Sequence, residues 1–170
     1  MDTSELRAQL SELHPLSFGW ARNCCRGDAD SAADVLQSAY EKILSGRAVF
    51  REKSTFKTWL FGVILNSARE DRRRKILGRI GIFRYQSQKP TALSDPGTDL
   101  EAAESNARIR RLVADLSRRQ QEILHLVFYQ DLTIEEAAGV MGVTIGSART
   151  HYHRAKKNLR KKLEADTENE

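Results

Sequence analysis

A run of basic side chains near the carboxyl end carries the clearest chemical signal in this 170-residue chain. Between Thr144 and Leu163 there is no aspartate or glutamate. The same stretch holds seven lysines and arginines: Arg149, Arg154, Lys156, Lys157, Arg160, Lys161 and Lys162. Cationic side chains bind phosphate groups, which nucleic acids offer at regular spacing. The plain alternative is a solvated surface helix, because charged runs often serve solubility alone.

The residues just before this basic run predict how it is positioned. Thr133 to Met141 has the pattern of a short helix, and Gly142 is suited to the left-handed conformation that ends one. A longer helix then begins near Thr144, a suitable N-cap residue. The first helix has small or flexible apolar residues that let a second helix cross closely: Ala137, Ala138 and Met141. The pattern predicts a helix-turn-helix, whose second helix can lie in the major groove of DNA.

The second helix of this motif has two different sides. Apolar residues recur on one of them at helical spacing: Ala148, Tyr152, Ala155, Leu159 and Leu163. We therefore expect this side to be buried, while the basic side faces a polyanion.

The overall composition fits a helical protein with a polyanionic partner. The net charge is +5 and the sequence pI is about 9.4, so association with a nucleic acid is favoured. Only three prolines and ten glycines interrupt the chain, which favours helices. No signal peptide opens the sequence and no apolar run is long enough to span a bilayer. We therefore expect a cytoplasmic protein without membrane insertion.

Patterns typical of enzymes are missing from the sequence. We find no cluster of metal-ligand residues, no glycine-rich phosphate loop and no nucleophile with a base at motif spacing. We therefore expect no catalytic activity, no metal site and no cofactor.

The rest of the chain predicts a second group of helices and a linker. The expected helices are Ser4–Leu13, Leu16–Cys25, Ser31–Leu44 and a longer one from Ser54 or Thr55, which fades near Gly78 and Gly81. Asp28 or Asp30 can cap the third of them. Proline, glycine, serine and threonine between Gln86 and Asp99 indicate a flexible linker. We predict an all-α protein of two small helical domains, residues 1–85 and 105–165, with a linker over 86–104. The acidic residues from Glu164 are expected to fray, and 166–170 form a tail.

Several stretches, in order, resemble bacterial RNA polymerase sigma factors of the extracytoplasmic-function (ECF) group. The first domain of that family reads roughly DAEDLVQE, F-x-x-W-L and N-x-x-x-D-x-x-R. This chain has SAADVLQS at Ser31–Ser38, FKTWL at Phe56–Leu60, and NSARED followed by Arg73. The second domain reads LP-x-x-x-R-E and G-x-S-x-x-E-I-A-x-x-L-G-x-S-x-G-T-V-x-S-x-x-x-R-A. The corresponding stretches here are LSRRQQE and DLTIEEAAGVMGVTIGSARTHYHRA, and the resemblance covers about Leu6 to Leu163.

The resemblance implies a role in transcription initiation. A sigma factor binds core RNA polymerase, directs it to particular promoter DNA and helps to open that DNA, without covalent chemistry of its own. In the family, the second domain reads the upstream minus-thirty-five element. The first domain captures the minus-ten element as a single strand and holds the polymerase clamp. An anti-sigma factor is a further partner that the resemblance allows.

For the upstream element, we expect contacts from residues at the start of the second helix of the motif. They are Thr144, Ser147, Arg149, Thr150, His153, Arg154 and Lys157; of these, Arg149, Thr150, His153 and Arg154 match positions that the family uses on DNA. Arg149 is the best candidate for a guanine edge, because its planar fork can donate two hydrogen bonds at once. Thr144 and Ser147 lie at a helix N-terminus, which favours phosphate. For His153, simple solvent exposure is the alternative.

For the minus-ten element, single-stranded DNA needs a basic groove and places for unstacked bases. The candidates are Arg47, Arg51, Lys53, Lys57, Asn66, Arg69 and Arg73. In the family, the loop before the long helix forms a pocket for a flipped base. Asn66 matches the family asparagine, whereas Glu70 stands where the family usually has aspartate. Trp59 could stack on a base, but its spacing with Leu60 and Val63 favours a core position.

The helix predicted at Ser31–Leu44 matches the one that grips the polymerase clamp in the family. We expect it to bind polymerase through Asp34, Gln37, Ser38 and Glu41. The family helix is acidic, but Ser31, Ala33 and Ser38 are neutral here. A phosphoserine carries about −1.5 to −2 charges near neutral pH. We hypothesise that a serine/threonine kinase modifies Ser38, Ser31 or Thr55, in that order of preference, and thereby switches on polymerase binding. The alternative is that these are ordinary polar residues.

Two other functions stay open at this point. An ordinary helix-turn-helix regulator would bind duplex operators without polymerase, and it would leave the first domain unexplained. A sigma-like decoy would bind an anti-sigma factor, and it would have no need of the basic helix side.

Overall fold

Every regular element in the described part of the chain is helical. The computed structural model describes residues 2–81, 107 and 109–167, and it confirms the predicted all-α class. These helices form two compact units, the first containing residues 2–81 and the second most of residues 109–167. The predicted linker at 86–104 lies outside the described residues, so the domain boundaries stay a prediction. Among the described helices, none is both long and apolar enough to cross a membrane.

Four helices build the first unit. They are α1 (Thr3–Glu12), α2 (His14–Cys24), α3 (Ala29–Leu44) and α4 (Phe56–Gly81). Helices α2, α3 and α4 pack against one another, and α1 packs against α2. The first three lie within two residues of their predicted bounds. The fourth continues through Gly78, because one glycine costs a helix only about 1 kcal/mol and the neighbouring residues offset it.

Side-chain caps determine where α3 and α4 begin. The carboxylate of Asp28 accepts hydrogen bonds from the backbone N–H groups of Asp30 and Ser31, at 3.1 and 3.4 Å. At α4, Thr55 Oγ1 accepts from the backbone N–H of Thr58 at 3.1 Å. Each cap provides an acceptor for an N–H that the first helical turn leaves without one. Of the alternatives that the sequence left open, the structure selects Asp28 and Thr55.

The core of the first unit centres on Trp20 of α2 and Phe61 of α4. Both side chains are 0% exposed, and their ring centroids are 6.2 Å apart. The indole Nε1–H of Trp20 donates to the backbone carbonyl of Phe61 at 3.0 Å. The sequence pattern did not place Phe61 or Leu65 on the buried side of α4. Because α4 packs on both α2 and α3, its buried side is wider than one helical stripe.

The second unit contains a short helical segment and the predicted motif. Its elements are α5 (109–114), α6 (Arg118–Phe128), α7 (Ile134–Met141) and α8 (Ile145–Thr167). Helix α6 packs against α8. Their shared core contains Leu116, Leu124 and Ala155, with Tyr152 and Leu159 partly buried against it.

The carboxyl end of α8 departs from the sequence pattern in two ways. Leu163 was predicted to be buried, but it is 41% exposed. Helix α8 has 23 residues and α6 has 11, so α6 is too short to cover the whole apolar side of its partner. The helix also continues to Thr167, past Glu164, where we predicted fraying.

The turn between α7 and α8 has the predicted construction. Gly142 has a φ of +65°, a conformation that glycine adopts without steric cost. The backbone N–H groups of Gly142 and Val143 donate back into the last turn of α7 at 3.3 and 3.1 Å, which is a Schellman arrangement. Thr144 Oγ1 accepts from the backbone N–H of Ser147 at 3.1 Å and caps α8. The helix-turn-helix is thereby confirmed.

Candidate nucleic-acid interface

The side of α8 away from its core presents the residues predicted to bind upstream DNA. All seven of them are exposed: Thr144, Ser147, Arg149, Thr150, His153, Arg154 and Lys157. Ala148 and Ala155, both 0% exposed, mark the opposite side of the helix. A single helix therefore directs cationic, imidazole and hydroxyl groups outward together, and its first acidic residue is Glu164.

The hydroxyl groups at the start of α8 already have partners within the helix. Thr144 Oγ1 donates to Ser147 Oγ at 2.9 Å, and Thr150 Oγ1 donates to the carbonyl of Gly146 at 3.0 Å. Each hydroxyl has one proton to donate. Of the two hydroxyls predicted to bind a phosphate, Ser147 is therefore the one still able to donate outward.

An ion pair links the two helices of the motif. Arg149 Nη2 donates to Glu135 Oε1 at 2.9 Å, and the two side chains are 59% and 50% exposed. The pKa of Glu135 is lowered by a hydrogen bond from its own backbone N–H and then by the guanidinium of Arg149. Sequence reasoning missed this pair, because residues fourteen apart on different helices have no characteristic spacing.

In the first unit, the residues predicted for the minus-ten element fall into two places. Arg47, Arg51 and Lys53 are exposed in the loop between α3 and α4, whereas Lys57, Asn66, Arg69 and Arg73 lie along α4. One open cleft brings Arg47 and Arg73 together. Lys57 Nζ lies 5.7 Å from the ring centroid of Phe61, and Arg69 is half-buried.

Three aromatic rings hold the loop against the start of α4. Phe50 lies 5.4 Å from Phe56 and 5.3 Å from Trp59, centroid to centroid, and Phe56 and Trp59 are 5.3 Å apart. All three are half-buried. Trp59 therefore packs on two neighbouring rings but is only half-buried, a position between the core interpretation and an exposed stacking surface. The loop also contains Glu52 with a φ of +56°, a conformation that side chains other than glycine rarely adopt.

The predicted polymerase-binding residues lie along one side of α3. Asp34, Gln37 and Glu41 are exposed, and Gln37 Nε2 donates to Glu41 Oε1 at 3.1 Å. Ser38 is half-buried. It lines the same open cleft as three arginines: Arg47, Arg73 and Arg74. Glu41 lines this cleft as well, so the structure brings two residues predicted to bind polymerase beside two predicted to bind DNA.

A salt bridge and hydrogen bonds connect α3 to α4, both in this cleft and nearer the start of α3. Lys42 Nζ donates to Glu70 Oε2 at 2.6 Å and to Ser67 Oγ at 3.0 Å. Nearer the start of α3, Lys75 Nζ donates to Ser31 Oγ at 2.8 Å. Glu70, which stands where the family usually has aspartate, therefore lies in contact with α3.

Ser31 also has a second partner. Its hydroxyl donates to Asp28 Oδ2 at 2.6 Å, and this hydrogen bond is the main reason why the pKa of Asp28 is lowered. No spacing along the chain predicts that Ser31 joins the cap of α3 to Lys75.

Two family models match the chain. Residues 10–76 match the model described as Sigma-70 region 2, and residues 106–159 match the one described as Sigma-70, region 4. The first match covers most of the first unit, and the second includes the helix-turn-helix.

Curated relatives include bacterial sigma factors. The ECF RNA polymerase sigma factor EcfG of Rhodopseudomonas palustris (strain TIE-1) is 31% identical over 145 residues, which cover 82% of this chain and 75% of EcfG. RNA polymerase sigma factor YlaC of Bacillus subtilis (strain 168) is 27% identical over 142 residues, covering 83% of this chain and 82% of YlaC.

Two solved structures share the fold. The sigma factor RpoE from Bartonella quintana, in complex with the anti-sigma factor NepR, gives a TM-score of 0.71 at 23% identity, covering 96% of this chain and 99% of that one. CnrH in complex with the cytosolic domain of CnrY gives a TM-score of 0.63 at 22% identity, covering 94% and 88%.

Proposed function

This chain belongs to the ECF group of RNA polymerase sigma factors, and we propose that it binds core RNA polymerase and directs it to specific promoters. Sigma factors are initiation factors and not enzymes. The observation that carries the proposal is the presence, in one chain, of a region 2 match and a capped helix-turn-helix with an exposed basic side. An operator-binding regulator would need only the second of these features.

In vitro transcription with purified core polymerase tests this function. We expect specific initiation from a genomic promoter library only when the protein and core polymerase are both present. A protein that binds duplex operators equally well without polymerase, and supports no initiation, would instead be a helix-turn-helix regulator. A protein that only binds an anti-sigma factor would be a decoy. We propose an anti-sigma factor as a further partner, because the similar RpoE structure contains one.

We propose that two basic surfaces, one in each unit, bind different parts of the promoter. The exposed side of α8 reads duplex DNA upstream through Arg149 and the neighbouring predicted residues. The loop between α3 and α4, with the basic side of α4, binds the minus-ten element as a single strand. Exposed cations suit both tasks, because counterion release from phosphates supplies much of the affinity. Base choice requires hydrogen bonds to base edges in addition.

Replacing Arg149 with alanine should change promoter preference at one upstream base pair, with a cost of about 1–3 kcal/mol at that position. The reason is that a guanidinium can donate two hydrogen bonds to one guanine. Lys161→Ala is the matched control, because Lys161 is also exposed on α8 and should weaken binding evenly across sequences. Affinities for a panel of single-base promoter variants provide the measurement. Equal losses for both variants on every sequence would contradict base readout by Arg149.

We propose in addition that phosphorylation by a serine/threonine kinase strengthens polymerase binding, with Ser38 as the first site. A phosphate on Ser38 would lie in a cleft where four cations outnumber two carboxylates. The cations are Lys42, Arg47, Arg73 and Arg74, and the carboxylates are Glu41 and Glu70. Arginine binds phosphate through paired hydrogen bonds. The modification would therefore add negative charge to α3 and also order the arginines beside it.

The two other candidate sites are less suitable on physical grounds. A phosphate on Ser31 would lie next to the carboxylate of Asp28, which already accepts the Ser31 hydroxyl proton. Thr55 Oγ1 caps α4 as an acceptor, so its modification would disturb a helix end. This comparison keeps Ser38 first, Ser31 second and Thr55 third.

Ser38→Glu should raise the affinity for core polymerase by about two- to fivefold, since one exposed charge pair contributes at most about 1 kcal/mol. Ser38→Gln is the control, because glutamine has nearly the same size as glutamate but carries no charge. Ser31→Glu should give a smaller gain. Binding to fluorescently labelled core polymerase provides the measurement. Tight binding by the unmodified protein, unchanged in all three variants, would contradict activation by charge on α3.

A further inference from the structure

The ion pair between Arg149 and Glu135 joins the helix predicted to read DNA to the helix that supports it. Arg149 lies near the start of α8, and Glu135 lies in the first turn of α7. Both side chains are at least half exposed. Exposed ion pairs contribute little to folding stability, so this contact has little effect on the free energy of unfolding. Its direct physical effect is on the orientation of the guanidinium.

Orientation matters because an arginine side chain has many rotamers. A base contact requires one of them, and immobilising a free side chain reduces the affinity gained from the contact. In the free protein, Glu135 already holds the guanidinium of Arg149 through Nη2. The Arg149 side chain is therefore partly ordered in the free protein, and it loses less conformational entropy when DNA binds.

The pairing leaves enough donors for DNA. A guanidinium has five N–H groups, and Glu135 Oε1 accepts from Nη2 alone. The remaining N–H groups can still donate two hydrogen bonds to the N7 and O6 atoms of guanine. The carboxylate and a guanine can thus contact the same guanidinium from different sides. At the same time, the negative charge of Glu135 opposes the approach of any phosphate.

The neighbouring acid on α7 has a different role. Glu136 Oε2 accepts from the backbone N–H and the hydroxyl of Thr133, at 2.9 and 3.1 Å. The backbone N–H of Glu136 donates in return to Thr133 Oγ1, so the two residues form a capping box. The two carboxylates in this helical turn therefore have different partners. One caps α7, and the other contacts Arg149.

The geometry points to Glu135 as a positioning residue that sharpens base choice by Arg149 while weakening general attraction to DNA. This inference rests on the proposed function, in which α8 reads duplex DNA. It predicts that one substitution affects base preference and general DNA affinity differently. Removal of the Glu135 charge should lower the preference for the base pair that Arg149 reads, but it should not lower the affinity for unrelated duplex.

The experiment uses the full chain bound to core polymerase and a pool of duplexes randomised over the upstream element. Sequences selected by the wild type define the preferred base pair. Affinities for that duplex, for single-base variants and for an unrelated duplex are then measured for four single variants: Glu135→Gln, Glu136→Gln, Arg149→Ala and Arg149→Lys. The double variant that combines Glu135→Gln with Arg149→Lys is measured in the same way. We expect Glu135→Gln to reduce the preference about two- to tenfold, corresponding to the ordering of one flexible side chain. Affinity for unrelated duplex should stay equal or rise.

The controls separate positioning from charge and from folding. Glu136→Gln removes the same charge one residue away, and it should leave the preference unchanged. In the Arg149→Lys background, which retains the charge but lacks the fork, Glu135→Gln should have no further effect on preference. Thermal unfolding of each variant verifies that the helix-turn-helix remains folded.

The outcomes distinguish this inference from the function on which it rests. If Arg149→Ala changes no base preference, the proposed readout by Arg149 is wrong, and positioning by Glu135 is wrong with it. If Arg149→Ala relaxes the preference but Glu135→Gln does not, only the positioning role is overturned. A parallel loss of affinity for preferred and unrelated duplexes in Glu135→Gln would also overturn it, because that result indicates a structural role.

Discussion

Trp20→Ala should lower the free energy of unfolding of the first unit by about 3–5 kcal/mol, the usual cost of removing a large buried aromatic side chain. Trp20 is 0% exposed and packs beside Phe61, so the substitution leaves a cavity between α2 and α4. It also removes the donor to the Phe61 carbonyl. Because domain stabilities are commonly about 5–15 kcal/mol, this loss is a large share of the stability of the first unit.

Two further variants identify the source of the loss. Trp20→Phe keeps a ring but removes the indole N–H, and it should cost about 1 kcal/mol for the missing hydrogen bond together with a smaller packing loss. Trp59→Ala removes the other tryptophan of the chain, which is only half-buried, and it should cost less than Trp20→Ala. Urea unfolding followed by far-ultraviolet circular dichroism gives the free energies. If Trp59→Ala proves as destabilising as Trp20→Ala, the proposed centre of the core is wrong.

Acidification should destabilise the second unit by up to about 3 kcal/mol through one histidine, because each unit of pKa shift corresponds to about 1.36 kcal/mol. Burial lowers the pKa of His125 from 6.5 to about 4. The Gln130 amide nitrogen lies 3.2 Å from His125 Nε2, and it can donate only to an unprotonated nitrogen. Below pH 6.5 the unfolded chain therefore binds a proton that the folded chain rejects. This destabilisation is absent well above pH 6.5, grows as the pH falls through 6.5, and reaches its full size near pH 4, where the folded chain also begins to bind the proton.

His125→Gln should remove this contribution to the pH dependence. His153→Gln is the control, since His153 is exposed and its replacement should leave the wild-type profile. Amide peaks from α6 and α8 in two-dimensional NMR spectra, recorded during urea titrations between pH 7 and pH 4, report on the second unit. Tryptophan fluorescence reports on the first unit, because both tryptophans lie there. A wild-type profile in His125→Gln would show that another group causes the acid sensitivity.

Helix ends were predictable from the sequence because their causes are local. Asp28 caps α3 through N–H groups only two and three residues away. Gly142 ends α7 through its own φ angle, and Thr144 caps α8 through Ser147. No long-range packing is needed for these interactions, so residue type and position suffice. The predictions were less accurate near Gly78 and Glu164. At these positions no residue stabilises or disrupts the helix strongly enough to end it.

The class of fold and the outward side of α8 were also predictable from the sequence. A helix has 3.6 residues per turn, so the spacing of Ala148 and Ala155 places them on one side. The basic residues between them then necessarily face elsewhere. Both alanines are fully buried, and the seven predicted upstream residues are exposed. Motif order along the chain further indicated the sigma factor family, which the comparisons with relatives confirm.

Contacts between distant residues depend on how the helices pack and were not predictable from the sequence. Phe61 is buried because α4 packs against two helices, α2 and α3. The apolar spacing along one helix predicts only a single buried side. Lys75 contacts Ser31, forty-four residues away, and Arg149 contacts Glu135. Such pairs depend on the angle and depth at which helices cross. Because an exposed pair contributes at most about 1 kcal/mol, it imposes no spacing on the sequence, and only the packed helices determine it.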